Sequence, residues 1–186
     1  ASRGLGDVYK RQAQDAKINS WGVGTRLITA NDNPAFGGVY KLAAVKDADS
    51  TEFTPKIKLS ENTEKVTNPG NKTVYRIYSK KTGKIKADLI CLADEKFDPE
   101  ETMVIFDPVD TWKKTKVLGG TYELRELLVP VIKGGKSVYK SPSVMELRDY
   151  CKQEQNTLWD ESRRFVNPQK VYVDPVSYTH LTLPTT

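Results

Sequence analysis

Apolar and polar positions alternate with a period of two over most of this chain, and one stretch keeps the longer period of a helix. Ala16–Leu27 is a short apolar strand pattern that runs straight into Gly22-Val23-Gly24-Thr25. Thr29–Gly38 is dominated by turn formers, Asn31-Asp32-Asn33-Pro34 and Gly37-Gly38, and predicts a loop with at most one turn. Val39–Val45 predicts a strand, and Phe53–Leu59 alternates as a half-buried strand should. Ser60–Lys72 is polar, with Pro69-Gly70 placed for a type II turn. Thr73–Tyr78 and Lys84–Leu92 flank the turn residues Lys80–Gly83 and form the clearest hairpin in the chain. Met103–Phe106 adds a third strand, giving a small antiparallel sheet.

Further on, Asp107–Gly120 reads as an extended surface segment whose Trp112 anchors against the sheet with its indole N–H near the rim. Tyr122–Ile132 returns to strand character, and Gly134-Gly135 turns the chain back through Ser137–Tyr139. A helix begins at Ser141-Pro142-Ser143, where Ser143 to Glu146 spells a capping box. Val144, Cys151, Leu158 and Phe165 recur every seven residues beside Leu147, so the predicted helix spans about 143–166 and packs that stripe on the sheet. Asp149, Lys152, Glu154, Asp160, Glu161 and Arg163 occupy its other faces. Asn167-Pro168 ends it, and Lys170–Val173 predicts a final strand. The fold class expected is therefore α/β, with a β-rich α+β region and one long helix.

Residues 1–12 and 175–186 fit neither period and resemble translated sequencing-adapter sequence, so both are set outside the fold as non-native. What remains, about Ala13–Asp174, is expected to be a piece cut at both ends. At 186 residues the chain has room for one domain, or one domain and part of another. An apolar fraction of 38%, a charged fraction of 28% and three tryptophans fit a water-soluble globular protein. No run approaches the roughly 20 apolar residues of a membrane helix, and no leader pattern opens the chain. A cytoplasmic protein without a membrane partner is expected.

Charge changes this picture little. Arg3, Lys10 and Arg11 against Asp7 place +2 of the net +5 in the first twelve residues, leaving +3 for the body. The lysine pairs Lys80-Lys81 and Lys113-Lys114 sit beside acidic residues, as on a solvated face, so no nucleic-acid partner is expected. Cys91 and Cys151 lie sixty residues apart in apolar-patterned segments and read as small buried hydrophobes. Neither they nor the single histidine, His180, point to a metal site or a histidine catalyst in the body.

The stretch that looks built for chemistry is Gly22–Thr25. Two glycines spaced by one residue after a strand can turn successive N–H groups into one concavity that suits a phosphate. Loops after the last strands of a barrel commonly hold a substrate phosphate in this way. Thr25 would add a hydroxyl and Arg26 a charge. The same glycine pair also marks an ordinary tight turn or bulge. Lys58, Ser60, Lys65 and Lys72 either converge on a ligand phosphate or serve as solvated strand-edge residues that discourage mispairing.

Four stretches carry a resemblance. They are Lys17-Ile-Asn-Ser-Trp-Gly-Val-Gly-Thr-Arg-Leu-Ile-Thr29, Gly37-Gly-Val-Tyr-Lys-Leu42, Lys58-Leu-Ser-Glu-Asn with Lys65-Val-Thr-Asn-Pro-Gly-Asn-Lys72, and Asp160-Glu-Ser-Arg-Arg-Phe-Val-Asn-Pro-Gln-Lys-Val-Tyr-Val173. In this order, over nearly all of 13–174, they resemble the C-terminal part of bacterial nicotinate phosphoribosyltransferases. The resemblance implies the end of a type II phosphoribosyltransferase: residues 13–36 as the last barrel strand and phosphate loop, and 37–174 as the β-rich C-terminal region. It implies an enzyme of NAD salvage that forms nicotinate mononucleotide and pyrophosphate from nicotinate and phosphoribosyl pyrophosphate, with ATP hydrolysis and Mg²⁺, as a homodimer. Gly22, Val23, Gly24 and Thr25 match the family's phosphate loop, which implies that they hold the ribose 5-phosphate. The ATP-phosphorylated histidine of the family has no counterpart outside the tail, so this chain by itself is expected to be inactive, with no catalytic or metal-binding residue assigned. The residues alone also allow a self-sufficient β-rich module that binds a ligand or partner without catalysis.

Overall fold

The structure is a computed structural model and describes residues 14, 17, 20, 22, 24–35, 37–38, 40–58, 68–164 and 166–176, with the Leu27 side chain left aside. The chain divides into two units, Ala1–Lys41 with Arg164–Pro168, and Leu42–Arg163 with Gln169–Thr186. The mixed α/β make-up read from the pattern is what these residues adopt.

Among the described residues of the first unit the one element is a single helical turn, α1 (Thr25–Ile28). The Thr25 carbonyl accepts both the Thr29 N–H (2.9 Å) and the Thr29 hydroxyl (2.8 Å), and Ala30 turns out of the helix at φ 47°. Lys17, Ser20, Gly22 and Gly24 are not in a strand, and Ala16, Ile18, Asn19, Trp21 and Val23 lie outside the described residues. The strand expected over Ala16–Leu27 is therefore absent at the described positions, and its last residues, from Thr25, lie in a helical turn. The loop expected over Thr29–Gly38 is present, with Asn33 N–H bonded to the Ala30 carbonyl at 2.8 Å.

The second unit opens with two short strands, β1 (Ala44–Val45) and β2 (Thr54–Pro55), paired antiparallel. The strands expected over Val39–Val45 and Phe53–Leu59 shrink to these four residues, with Val39 and Leu59 outside the described set. Pro55 has no N–H to give the ladder, and the pairing continues past it through one bond, from the Lys56 N–H to the Ala43 carbonyl at 2.9 Å.

The organising element is the hairpin of β3 (Lys72–Ser79) and β4 (Ile85–Leu92), turned at Gly83 with φ 65°. Strict alternation puts Ile77, Ala87, Leu89 and Cys91 on one face, all fully or nearly fully buried. On the far side of β3 lies β7 (Tyr122–Glu126), antiparallel, and on the far side of β4 lies β10 (Val173–Pro175), parallel, giving the order β10-β4-β3-β7. The final strand is thus Val173–Pro175 and not Lys170–Val173. The boundary drawn at Asp174 is no packing boundary: Pro175 is buried, Val176 is 0% exposed within the core, and Val176 bridges to Ile105. Residues 177–186, His180 included, lie outside the described set.

The third expected strand, β5 (Met103–Phe106), does not join the hairpin sheet. It pairs with β6 (Lys114–Val117). The extended surface segment expected over Asp107–Gly120 is instead a turn and a strand, because the Asp107 carboxylate accepts the N–H groups of Val109 (2.8 Å) and Asp110 (3.0 Å) and folds the chain back. Those bonds also hold the Asp107 carboxyl below its usual range. Trp112 does not anchor on the sheet; it is 76% exposed, with the Lys113 ammonium 5.1 Å from its ring centre. Met103, Ile105 and Val117 nevertheless share one core with the hairpin, closed by Tyr122. The Tyr122 hydroxyl donates toward the carbonyls of Asp98 (3.1 Å) and Glu101 (3.0 Å).

Past Glu126, Pro130 interrupts the strand character expected up to Ile132, and a separate short hairpin follows. Its strands are β8 (Ile132–Lys133) and β9 (Lys136–Ser137), turned by Gly134 and Gly135 at φ 56° and 74°. The expected helix forms as α2 (Val144–Thr157), with Ser143 and Glu146 completing the capping box. It stops at Leu158 instead of continuing to 166, and a four-residue turn, α3 (Asp160–Arg163), follows. The reason lies in β4. Lys84 donates to the carbonyls of Asn156 and Leu158, both at 2.8 Å, and the Trp159 indole N–H donates to the Ile85 carbonyl at 2.7 Å. Drawing Trp159 onto the strand ends the helix. The stripe expected to pack does not: α2 buries no residue, and Val144, Leu147 and Cys151 are exposed. Leu158 is half-buried, and Phe165 lies outside the described residues.

Candidate functional site

Gly22, Gly24 and Thr25 are exposed, and Val23 lies outside the described residues. A Cβ added at Gly22 or Gly24 would meet nothing within 4 Å, and neither glycine is among those at positive φ. Among the described residues glycine answers no steric demand here, and a side chain at either position would project into open space. Thr25 gives its carbonyl to the N–H and the hydroxyl of Thr29. Arg26 is exposed, in the last turn of α1.

Of Lys58, Ser60, Lys65 and Lys72, the described residues are Lys58 and Lys72. Lys72 is committed to the turn that precedes it, donating to the carbonyls of Asn68 and of Gly70 (2.9 Å), and burial draws its pKa down. That turn is the one expected at Pro69-Gly70, with Gly70 at φ 101° and its N–H on the Ala43 carbonyl at 2.7 Å. Lys58 is exposed, while Ser60 and Lys65 lie outside the described residues.

The densest polar arrangement was not anticipated and sits on the sheet face opposite the core. In register, Arg125, Arg76 and Asp88 stand side by side across β7, β3 and β4. Arg76 forks onto Asp88 through Nε (2.7 Å) and Nη2 (2.8 Å), and turns Nη1 toward Glu154 (3.3 Å). Arg125 forks onto both oxygens of Glu154 at 2.8 and 2.7 Å and lies over the Tyr78 ring at 5.1 Å. Glu154, placed by pattern on an outward face of the helix, therefore joins two arginines that would otherwise repel. Its carboxyl is drawn down chiefly by the Arg125 hydrogen bond, and the Arg76 guanidinium is pushed up chiefly by its bond to Asp88. The hairpin register about Lys80–Gly83 carries the signal for Arg76 facing Asp88; no local pattern announces Glu154.

The four charged groups are paired with one another, so they fasten α2 to the sheet, while the buried Tyr78 hydroxyl beside them has no hydrogen-bond partner among the described residues. The buried thiol of Cys91 is pushed up to about 12 by desolvation and is inert as a nucleophile. Cys151, expected to be buried, is exposed on α2 because the stripe it belongs to is uncovered. Among the described residues no group of three or more His, Cys, Asp or Glu gathers to hold a metal ion, and no helix is long and apolar enough to cross a membrane.

Comparison with known proteins turns on the same stretch of chain. The nicotinate phosphoribosyltransferase C-terminal domain profile matches residues 71–180, which takes in the whole four-stranded sheet and α2. A nicotinate phosphoribosyltransferase of Bacillus subtilis is 36% identical over 167 residues, 90% of this chain and 33% of that protein. One of Caenorhabditis elegans is 34% identical over 157 residues, 83% of this chain and 26% of that protein. A crystal structure of human nicotinic acid phosphoribosyltransferase matches with a TM-score of 0.46 and 23% identity over 58% of this chain and 21% of that one. The chain spans about a third of the length of the Bacillus relative.

Proposed function

Because this chain belongs to the nicotinate phosphoribosyltransferase family, as its C-terminal domain, we propose that it is the carboxy-terminal part of an enzyme joining nicotinate to phosphoribosyl pyrophosphate. The products are nicotinate mononucleotide and pyrophosphate, and ATP hydrolysis is coupled to turnover. The observation that carries this reading is the match over 71–180, supported by relatives of the same name that are about three times as long. The chain's own contribution is binding. The N–H groups around Gly22, Val23 and Gly24, with the Thr25 hydroxyl, hold the ribose 5-phosphate of the donor. The open space at both glycines supports this, since a phosphate can then approach the backbone with no side chain in its way.

ATP and Mg²⁺ belong to the part of the enzyme that precedes this chain. The described residues offer neither a histidine nor a carboxylate cluster, so they do not fit these groups and no step is derived through them. Alone, the chain is inactive. The full enzyme works as a homodimer in the cytoplasm.

The test uses the complete parent polypeptide. It should release pyrophosphate from phosphoribosyl pyrophosphate when given nicotinate and ATP, and not when given nicotinamide or quinolinate. Turnover with a different pyridine, or with none, would overturn the assignment. Gly24→Val should weaken donor binding at least tenfold in the parent, measured by calorimetry, while the melting temperature of this chain stays where it was. Unchanged donor affinity would remove the phosphate role from the loop and leave the family assignment standing.

A further inference from the structure

Residues 128–153 make up 26 consecutive residues, every one of them exposed. They are not a polar loop. Ten large apolar side chains in this stretch are 43–80% exposed, among them Val129, Ile132, Tyr139, Val144, Leu147 and Tyr150. Yet the stretch holds a hairpin with its glycine turn, a capping box and most of a 14-residue helix. A hairpin of two-residue strands and a helix of this length are marginal in water without a packed face. The patterning of α2 states which face is to be buried, and none of the described residues covers it.

Both ends of the stretch are fixed to one strand. It leaves β7, where the Leu127 N–H bonds the Val74 carbonyl at 2.9 Å, and it returns to β7 through the two Arg125–Glu154 bonds. Among the described residues β7 is paired on one side only, with β3. The stretch is therefore a clasp standing off an open sheet edge. Lys133, Lys136, Lys140, Arg148 and Lys152 against Glu146 and Asp149 give it a net charge of +3.

We propose that residues 128–153 are the clasp by which this domain grips the amino-terminal two thirds of its own polypeptide, closing on an apolar surface there that is bordered by carboxylates. This rests on the reading of the chain as the carboxy-terminal third of a longer enzyme. The length of polypeptide outside the chain supplies the occupant, and covalent linkage holds it at high effective concentration. The clasp's positive charge selects an acidic rim.

Peptide-level hydrogen exchange tests this on the 186-residue chain and on the parent polypeptide. In the chain, amides of 128–153 should exchange within tenfold of unstructured rates, while those of Ile77 and Leu89 are strongly protected. In the parent, exchange across 128–153 should slow at least a hundredfold, and this should persist on hundredfold dilution. Equal exchange in the two would overturn the proposal, as would protection already present in the chain. Protection lost on dilution would also overturn it, giving the face to a second copy. Ile132→Glu with Leu147→Glu in the parent should speed exchange across 128–153 at least tenfold and leave Ile77 and Leu89 unmoved. A clasp protected in a parent that lacks nicotinate-dependent turnover would sink the enzymatic reading alone.

Discussion

The hairpin Lys72–Leu92 and the helix Val144–Thr157 both carry a clean apolar row, but only the hairpin has anything to bury it against. Ile77, Leu89 and Cys91 are sealed beneath Met103, Ile105, Val117 and Val176, whereas α2 buries none of its residues. The hairpin is thus held by the removal of apolar surface from water, which is insensitive to salt and to carboxylate titration. The helix is held to the same sheet by Glu154, Lys84 and Trp159, through ion pairs and hydrogen bonds. Two kinds of attachment exist in one unit, and they should fail under different conditions.

The sharpest way to break the comparison is to remove the same side chain from both regions. Leu89→Ala should cost about 3 kcal/mol in urea unfolding, because it empties a fully buried site, and Leu147→Ala in the same chain should cost under about 0.5 kcal/mol. Equal costs would show that the helix stripe is buried after all. Next in size is Gly119→Ala. A Cβ there would sit 2.0 Å from the Glu100 carbonyl oxygen, a backbone atom that cannot swing aside, so a loss of about 2–3 kcal/mol is expected in thermal unfolding.

Glu154→Gln should release α2 without unfolding the hairpin. The expected local cost is about 2 kcal/mol, read in the parent polypeptide as faster amide exchange in Val144–Thr157; Arg125 is 41% exposed, which keeps the value below that of a fully buried pair. Acid should do the same. The Glu154 carboxyl is held below its ordinary value of 4.5, so its contribution is complete above that value and is lost as pH falls through the lower folded one. Asp174 has the opposite sign: burial raises its carboxyl, so its protonation in acid favours the sheet. As pH falls below 4.5 the helix should therefore loosen by circular dichroism while the core persists. Simultaneous loss of both would erase the distinction. Smallest of all, Ser143→Ala removes the cap bonds and should lower helix content at a cost of about 1 kcal/mol.

Legibility followed the same division. The β3–β4 hairpin was readable because its alternation, its turn and its packing partner are close in sequence, and the Gly134-Gly135 hairpin because both glycines are needed at positive φ. The start of α2 was readable from Ser143 and Glu146, which bond each other directly. Its end was not, because Trp159 leaves the helix to reach the Ile85 carbonyl, 74 residues earlier. Trp112 misled for the complementary reason: an aromatic residue implies burial, but the Asp107 turn carries it to the tip of a hairpin. Of the candidate site, the glycine spacing was visible at once, and no described residue packs against either glycine.

The parallel strand β10 has a consequence for how this domain is made. It lies beside β4 in register Val173–Asp88, with 80 residues, Ala93 to Tyr172, strung between the two strands. As the nascent polypeptide leaves the ribosome, the hairpin can close early, but the slot along β4 stays vacant until that whole excursion has been synthesised. Val176, the plug of the core, arrives later still. A translation stall anywhere before Val173 leaves an unfilled edge along Asp88–Ile90, inviting a neighbouring chain to take the place meant for β10.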